Sequence, residues 1–462
     1  MEKSEIGLIG LAVMGQNLAR NIADKGFQIS VYNRTLEKTT EFIKKYGHSS
    51  KSGVEILGTV KIEEFVKSLK SPRKIIIMVK AGEAVDEVIS ELLPHLEKSD
   101  IIMDGGNSYY KDTEQRQKSL ESSGISLIGM GISGGEEGAL KGPSIMPGGN
   151  REAYEKVAPI LTKIAADEDT AKSAKCVSYM GKNGSGHFVK MVHNGIEYAI
   201  MQLIAEIYDI LKNLGKLSNE ELAKTFENWN KTDYLKSFLV EITAKIFRKK
   251  DEKGQYLIDQ IRDHGEQKGT GKWTSIASFD YGIATPTITS AVNARILSAF
   301  EKRRQIALPQ VLNSQIKIPD KKTLIKLTQD ALELCEILSY FQGFDLIAIA
   351  NKEHNWRINL PEIARIWKNG CIIRSSLLDE FQTHNFPQFL FTDEKQNSLR
   401  HLIAIATAYA IPIPAVGNSL FYYDTLSAQK LPQNLTQAQR DFFGAHGYAK
   451  IGQEGTFHTD WQ

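Results

Sequence analysis

The chain has 462 residues, of which 42% are hydrophobic and 24% are charged, and its formal net charge is +2. This length is too great for one hydrophobic core, so we expect two or three domains. The near-neutral charge gives no support to a nucleic-acid partner or an anionic membrane surface, and three widely separated cysteines argue against a disulfide framework. With no secretory signal pattern and no apolar stretch long enough for a bilayer, we expect a soluble cytoplasmic protein.

The first 180 residues alternate between strand and helix patterns. Stretches long enough for helices separate short β-branched runs at 6–9, 28–32, 74–79, 101–104 and 126–129. This rhythm predicts a parallel sheet covered by helices, which is a doubly wound, Rossmann-type α/β domain over residues 1–180.

The first strand runs into a glycine-containing turn, Gly10-x-Ala12-x-x-Gly15, and a helix pattern follows from about Gln16. Glycine at the first position permits the tight turn, and the free N–H groups at the start of the helix can bind a pyrophosphate. Ala12 replaces the usual second glycine and reduces the closeness of backbone approach. Because a strand precedes the turn and a helix follows it, the motif predicts a dinucleotide site rather than an ordinary strand–helix turn.

The end of the second strand indicates which dinucleotide is bound. NAD-binding domains place an acidic residue there, whereas this chain has Asn33, Arg34 and Thr35. Arg34 can pair with a 2′-phosphate, and its neighbours can donate hydrogen bonds. The sequence therefore favours NADP, although a solvated surface arginine would give the same pattern.

A short polar island interrupts an apolar helix pattern that begins at Gly186. Lys190, His193, Asn194 and Glu197 fall at i, i+3, i+4 and i+7, within one stripe of a helix whose other residues are mostly apolar. A lysine desolvated by apolar neighbours has a lowered pKa and can act as a base, and a carboxyl two turns away can serve as the acid. The alternative interpretation is a Lys–Glu surface pair beside a satisfied histidine.

Beyond this island, apolar residues recur at helical spacing and strand patterns are scarce, which predicts an all-helical domain over residues 181–433. The apolar stretch 402–416 predicts a buried helix that ends at Pro412 and Pro414. Residues 434–462 are rich in Gly, Gln and Asn, so we expect a loose tail that needs a surface to lie on.

At this point the sequence resembles the decarboxylating 6-phosphogluconate dehydrogenase family, within the 3-hydroxyacid dehydrogenase superfamily. The resemblance runs from the first strand to the tail and is carried by motifs more specific than the glycine turn. These are 10–18 (GLAVMGQNL), 33–35 (NRT), 79–82 (VKAG), 104–108 (DGGNS), 131–149 (GISGGEEGALKGPSIMPGG), 186–198 (GHFVKMVHNGIEY), 267–274 (QKGTGKWT), 291–295 (AVNAR) and 438–446 (AQRDFFGAH).

The resemblance implies metal-free oxidative decarboxylation of 6-phosphogluconate to ribulose 5-phosphate with reduction of NADP, a reaction of the pentose phosphate pathway. Lys190 matches the family's general base and Glu197 its acid. The residues that match cofactor contacts are Gly10, Leu11, Ala12, Val13, Met14, Gly15, Asn33, Arg34, Thr35, Val79, Lys80, Ala81 and Asn107.

The residues that match the family's substrate contacts are Asn107, Ser133, Gly134, Gly135, His193, Asn194, Tyr198, Lys268, Arg295, Arg440 and His446. Lys268, Arg295 and Arg440 would supply the charge-assisted hydrogen bonds that a phosphate requires. In the resembling family the tail reaches the partner subunit, which implies a homodimer with shared active sites.

Two other functions are compatible with parts of this pattern. A non-decarboxylating 3-hydroxyacid dehydrogenase would share the Rossmann domain, the Ser-Gly-Gly turn and the Lys190–Asn194 spacing, but it would not need Glu197 or the phosphate set. A non-catalytic NADP-binding sensor would be marked by loss of the lysine or the acid, and this chain has both. No His-x-x-x-His pair or Cys cluster predicts a metal site.

Overall fold

The computed structural model describes residues 3–169, 171, 174–300 and 315–461. The N-terminal part is a seven-stranded sheet of order β3-β2-β1-β4-β5-β6-β7, with an apolar core on each of its two faces. The strands are β1 (Ile6–Ile9), β2 (Ile29–Tyr32), β3 (Ile56–Gly58), β4 (Lys74–Ile77), β5 (Ile101–Asp104), β6 (Ser126–Ser133) and β7 (Ser144–Gly149). The accompanying helices are α1 (Val13–Asp24), α2 (Leu36–Tyr46), α3 (Ile62–Lys67), α4 (Glu83–Leu92), α5 (Tyr110–Leu120), α6 (Gly135–Lys141) and α7 (Arg151–Ile164).

The predicted Rossmann-type fold is confirmed, with two differences in the sheet. The strands β1 to β6 pair in parallel as predicted, but β7 is an additional edge strand that pairs antiparallel with β6. Its sequence, Ser-Ile-Met-Pro-Gly-Gly, lacks a strand pattern because Pro147 and two glycines are tolerated mainly at a sheet edge. The other missed strand, β3, has only three residues.

The C-terminal part is helical, as predicted, and its core is built on two long helices, α8 and α13. Its helices are α8 (Ser185–Asn213), α9 (Asn219–Trp229), α10 (Phe238–Arg248), α11 (Thr270–Asp280), α12 (Pro286–Ser298), α13 (Lys321–His354), α14 (Leu360–Trp367), α15 (Leu378–Thr383), α16 (Asp393–Ala408), α17 (Pro414–Ser427) and α18 (Gln433–Gly444). The helix predicted over 402–416 ends at Ala408, and Pro414 opens α17, where a missing N–H is not needed. In the ranges that the structure describes, no helix is long and apolar enough to cross a membrane.

The N-terminal half of α8 packs tightly against β6. A Cβ added at Gly131 would lie 2.4 Å from the Cβ of Lys190, and one added at Gly129 would lie 2.9 Å from Nδ1 of His187. Glycine is therefore required on β6 for α8 to approach this closely. This contact places the predicted polar island of α8 next to the carboxyl end of the sheet.

The prediction of a loose tail is wrong, because residues after Leu431 form α18 and a small antiparallel bridge between Tyr448 and Phe457. Asp441 is fully buried and holds the two parts together. Its carboxylate accepts hydrogen bonds from the backbone N–H groups of residues 447 and 459 and from the side chains of His458 and Trp461. Burial acts to raise the pKa of Asp441, but these hydrogen bonds hold it well below its ordinary range.

Candidate active site

The turn after β1 has the geometry that a dinucleotide site requires. Gly10 has φ +101°, and a Cβ there would lie 2.4 Å from the carbonyl oxygen of Met78. A Cβ on Gly15 would lie 1.9 Å from the carbonyl oxygen of Gly10, so both glycines are required. The helix α1 begins at Val13, about a turn earlier than predicted, and its N-cap residue, Ala12, makes no side-chain hydrogen bond to the first N–H groups. These N–H groups are therefore available to a phosphate.

The residues after β2 join this turn to an exposed cation. The side-chain oxygen of Asn33 accepts a hydrogen bond from the backbone N–H of Leu11 at 3.0 Å, and its amide donates to the carbonyl of Thr35. The side chain of Arg34 is 77% exposed and pairs with Glu87 of α4 at 2.9 Å. Asn33 thus fixes the turn, while Arg34 remains accessible to a 2′-phosphate.

A cavity of about 400 Å³ opens between the sheet and the helical part. It brings together ten of the residues predicted to contact substrate or to act in catalysis, together with Met14 of the cofactor turn. The ten are Asn107, Ser133, Gly134, Gly135, Lys190, Asn194, Glu197, Tyr198, Lys268 and Arg295. The remaining cofactor residues lie at the carboxyl ends of β1, β2 and β4, in the turn 10–15, at 33–35 and at 79–81.

Lys190 lies at the base of the cavity and is only 5% exposed. Its Nζ donates to Oδ1 of Asn194 at 2.6 Å and lies 3.2 Å from Nδ1 of His193. Burial lowers the pKa of Lys190 to about 8, against the smaller opposing effect of Glu197. The neutral, proton-accepting form of the amine is consequently much more populated near neutral pH than it is for a lysine in water.

Glu197 lies two turns further along α8, with 23% of its side chain exposed to the cavity. Burial raises the pKa of its carboxyl, and the opposing charges of Lys190 and Arg295 reduce that effect. One helix therefore presents a base with a lowered pKa and an acid with a raised pKa to the same cavity. Such divergence of two titratable groups is typical of a proton-transfer pair.

His193 does not line the cavity, although it was predicted to contact substrate. It is fully buried behind Lys190, with Nε2 3.1 Å from the hydroxyl of Ser133 and its ring 5.4 Å from that of Trp367. Burial and the charge of Lys190 hold its pKa well below the ordinary range, so the imidazole is neutral. His193 therefore contacts Lys190 and Ser133 on the side away from the cavity and helps to orient both side chains.

The cavity ends at a group of basic side chains on the helical side. The guanidinium of Arg295 lies 3.5 Å from the ring centroid of Tyr198 and donates to the carbonyl of Glu266. The backbone N–H of Lys268 donates to the hydroxyl of Tyr198 at 3.4 Å. Tyr198 thus holds two potential phosphate ligands at one end of the cavity.

Arg440 and His446 do not reach the cavity of their own chain. Both side chains are exposed on the tail, and Arg440 donates to Gln437 on the same helix.

The structure adds wall residues that sequence reasoning missed, chiefly Ile372 and Thr270. The backbone N–H of Ile372 donates to the hydroxyl of Ser133, and a Cβ on Gly134 would lie 2.6 Å from the carbonyl oxygen of Gly370. The Asn369-Gly370 pair marks a turn in the sequence, but nothing local indicates that it packs against a strand end more than 200 residues earlier.

A Rossmann sheet with a phosphate-binding turn and a helical domain border one cavity, and a buried lysine lies at its base. This combination defines a nicotinamide-dinucleotide-dependent dehydrogenase. The family model described as the NAD binding domain of 6-phosphogluconate dehydrogenase matches residues 5–181, and the model of the C-terminal domain of that enzyme matches residues 186–461. The chain belongs to the 6-phosphogluconate dehydrogenase family, and the resemblance inferred from its motifs is confirmed.

Individual relatives match over the whole chain. The chain is 49% identical to the NADP(+)-dependent, decarboxylating 6-phosphogluconate dehydrogenase of Bacillus subtilis and 48% identical to the decarboxylating enzyme of Escherichia coli, with 100% of each chain covered. The solved 6-phosphogluconate dehydrogenase of Plasmodium falciparum is 44% identical and superimposes with a TM-score of 0.90 over 99% of this chain and 100% of its own. That enzyme is described in its apo form, with its cofactor NADP+ and with its substrate 6-phosphogluconate.

Proposed function

We propose that this chain catalyses the NADP-dependent oxidative decarboxylation of 6-phosphogluconate to ribulose 5-phosphate and carbon dioxide. The observation that carries the proposal is the pair on α8, in which Lys190 and Glu197 face one cavity with oppositely shifted pKa values. A non-decarboxylating 3-hydroxyacid dehydrogenase would need neither the acid nor a phosphate-binding end. Both features border the same cavity here.

NADP fits the cofactor turn of this structure. The glycines of the turn leave no room for a Cβ, the first N–H groups of α1 are uncapped, and Arg34 is accessible where a 2′-phosphate would lie. The turn 10–15 and Arg34 would hold NADP, which would supply the hydride acceptor for oxidation at carbon 3 of the substrate. Asn107 lines the cavity beside Met14 of the cofactor turn, which supports a role for its side chain toward both ligands.

In the first step, the neutral amine of Lys190 takes the proton from the carbon-3 hydroxyl as the hydride leaves that carbon. The acceptor oxygen of Asn194 stabilises the resulting ammonium, since it already lies 2.6 Å from Nζ. The oxidised product is a 3-keto acid, and this arrangement of carbonyl and carboxylate permits loss of carbon dioxide. The electrons of the broken carbon–carbon bond pass toward the carbon-3 oxygen, to which the ammonium of Lys190 returns its proton, and the product is an enediol.

In the second step, Glu197 donates its proton to carbon 1 of the enediol while the neutral amine of Lys190 takes the proton from the adjacent hydroxyl, which yields ribulose 5-phosphate. Because burial raises the pKa of Glu197, a protonated carboxyl is more available near neutral pH than it would be in water. Arg295 and Lys268 bind the substrate phosphate at the far end of the cavity, where charge-assisted hydrogen bonds contribute roughly 1.5–3 kcal/mol each.

The experiment is direct. Purified protein with 6-phosphogluconate and NADP should produce NADPH and carbon dioxide in equal amounts. Formation of NADPH without carbon dioxide would support the non-decarboxylating alternative. If well-folded protein produces neither, the proposed function is wrong.

We further propose a homodimer in which the tail completes the partner's cavity. Among the described residues, Tyr423 is the last whose side chain packs against a hydrophobic core, yet the later segment exposes large apolar groups. Leu435, Phe442 and Phe443 are 62%, 58% and 72% exposed, respectively. Such a surface is typical of a segment covered by a partner. Arg440 is on the same helix, which supports its delivery to a neighbouring site.

Mixing two inactive variants tests this shared site. An Arg440→Ala chain and a Lys190→Met chain should each be inactive alone. In a heterodimer with shared sites, one site carries both changes and the other carries neither, so activity should partly return. Mass measurement first confirms that the two chains have exchanged subunits. If heterodimers form and no activity returns, each chain uses its own tail or the tail only holds the dimer together, and the shared site is refuted.

We assign NADP binding to residues 1–180, substrate binding and dimerisation to 181–433, and completion of the partner's site to 434–462. We place the reaction in the cytoplasm. The buried, unpaired thiols of Cys176, Cys335 and Cys371 support a reducing compartment.

A further inference from the structure

Two loops at the carboxyl edge of the sheet share one buried guanidinium. Arg116 extends from α5, and only 7% of its side chain is exposed. Its Nε and Nη2 donate to the two carboxylate oxygens of Asp86 at 2.6 and 2.9 Å. The same Nη2 donates to the carbonyl oxygen of Gly82 at 3.1 Å, at the end of the loop that follows β4.

The other side of this guanidinium faces the loop that follows β5. Its Nη1 lies 3.7 Å from Oδ2 of Asp104, a carboxylate that is fully buried. Asp104 accepts hydrogen bonds from the backbone N–H of Gly106 at 3.0 Å and from the hydroxyl of Ser108 at 2.6 Å. These two contacts hold the residues on either side of Asn107, which lines the cavity.

We infer that Arg116 is a positioning residue that couples the cofactor loop, 79–82, to the substrate loop, 105–108. The inference rests on the proposed function, which assigns cofactor contacts to the first loop and both kinds of contact to Asn107. Arg116 does not line the cavity. It acts through Gly82 on one side and through Asp104 on the other.

The chemistry of the contact supports coupling rather than a simple ion pair. A guanidinium has donors in a fixed plane, so it can hold Asp86 and the carbonyl of Gly82 at once, which a lysine ammonium on a flexible stem does less well. Nη1 is buried without a hydrogen-bond partner among the described residues. Leaving a buried donor unpaired is unfavourable, and a movement of less than about 1 Å would bring Asp104 within hydrogen-bonding distance.

A second ion pair at the opposite end of the same two strands provides a matched control. Arg73 precedes β4 and Asp100 precedes β5, and their side chains pair at 2.9 Å with 12% and 1% exposed. This pair links the same strands with comparable burial, but it lies at their amino ends, away from the cavity. Arg73→Lys therefore reproduces the loss of a buried guanidinium without touching either loop.

The test has two readouts. The first is hydrogen exchange of the unliganded protein. Arg116→Lys should increase exchange in both loops, and Arg73→Lys should increase it in neither.

The second is a double-mutant cycle with Asn107→Ala. Arg116→Lys should lower kcat about tenfold or more, because small misplacement of reacting groups carries penalties up to roughly 100-fold. The Kd for NADP should change less than about threefold, since phosphate contacts remain.

In the Asn107→Ala background, Arg116→Lys should have little further effect on kcat, because the group that it positions is already absent. The inference is overturned if the two substitutions are additive, or if Arg73→Lys lowers kcat equally. Where Arg116→Lys fails to fold, Asp86→Asn weakens the same contact from a side chain that is 54% exposed. A wild-type protein without turnover would refute the proposed function alone, because hydrogen exchange still tests the coupling.

Discussion

Replacement of Asn194 by leucine should shift the pH profile of the enzyme in a defined direction. The ammonium of Lys190 donates to the side-chain oxygen of Asn194 at 2.6 Å, a contact that favours the charged form of the lysine. Leucine has a similar size and offers no acceptor. The charged form then loses stability, and the pKa of Lys190, about 8 in the wild type, should fall further.

The size of the shift follows from the strength of the lost hydrogen bond. A hydrogen bond to a charged group contributes roughly 1.5–3 kcal/mol, and one pKa unit corresponds to about 1.36 kcal/mol. The pKa should therefore fall by about one to two units.

The assay is the pH dependence of kcat/KM, which reports the pKa values of the free enzyme. A base must be neutral to accept a proton, so activity is lost as pH falls through the pKa of Lys190. The acid limb of the profile should move from about pH 8 to lower pH in Asn194→Leu. Asn194→Asp should move it to higher pH, because a carboxylate stabilises the ammonium.

Gln202→Leu is the control, since it removes an amide from α8 that contacts Glu206 rather than Lys190. Its acid limb should coincide with that of the wild type. The reasoning is refuted if Asn194→Leu leaves the acid limb unchanged or moves it to higher pH. Either result would mean that the limb reports a group other than Lys190, whatever happens to the maximal rate.

Three further substitutions test the assigned roles. Lys190→Met should lower turnover by about 10²–10⁴-fold or more, the usual contribution of one acid or base. Titration should show that NADP binding is nearly unchanged. Retention of a tenth of the activity would remove Lys190 as the base. Glu197→Gln should lower the single-turnover rate of carbon dioxide and ketose release by a comparable factor. Near-normal product formation would exclude Glu197 as the acid. Arg34→Ala should raise KM for NADP roughly tenfold, by loss of one charge-assisted contact, with little change for NAD. An equal effect on both cofactors would place Arg34 at the adenine or in the fold.

The sequence predicted those features that depend on local pattern. The turn at Gly10 and the stripe from Lys190 to Glu197 are set by residues within one or two elements, so spacing alone located them. The strand β7 was missed because its local sequence, with Pro147 and two glycines, resembles a loop. The wall residue Ile372 depends on a contact with a strand end more than 200 residues earlier. His193 was correctly placed on the helix α8. Whether a side chain on that stripe faces the cavity depends on how closely α8 packs against β6.

The tail shows a different limit, that of predicting order from amino-acid composition. Its Gly, Gln and Asn content predicted disorder, but the buried carboxylate of Asp441 gathers four donors and organises a helix and a bridge within few residues. Composition does not reveal a single buried acceptor that satisfies several donors. The apolar side chains that this small unit leaves exposed, such as Phe443, still indicate that it needs a surface.

Burial of one helix accounts for the opposite pKa shifts of Lys190 and Glu197, the proposed proton-transfer pair. Desolvation disfavours charge whatever its sign, so it lowers the pKa of a lysine and raises that of a carboxyl. Both effects occur on α8, where desolvation is the largest cause of the shift for Lys190 and for Glu197. The close approach that buries Lys190 depends in turn on Gly131, since any side chain there would meet the Cβ of Lys190. A glycine on a strand of the N-terminal sheet is therefore part of the reason that the pKa of a lysine on the helical side is lowered.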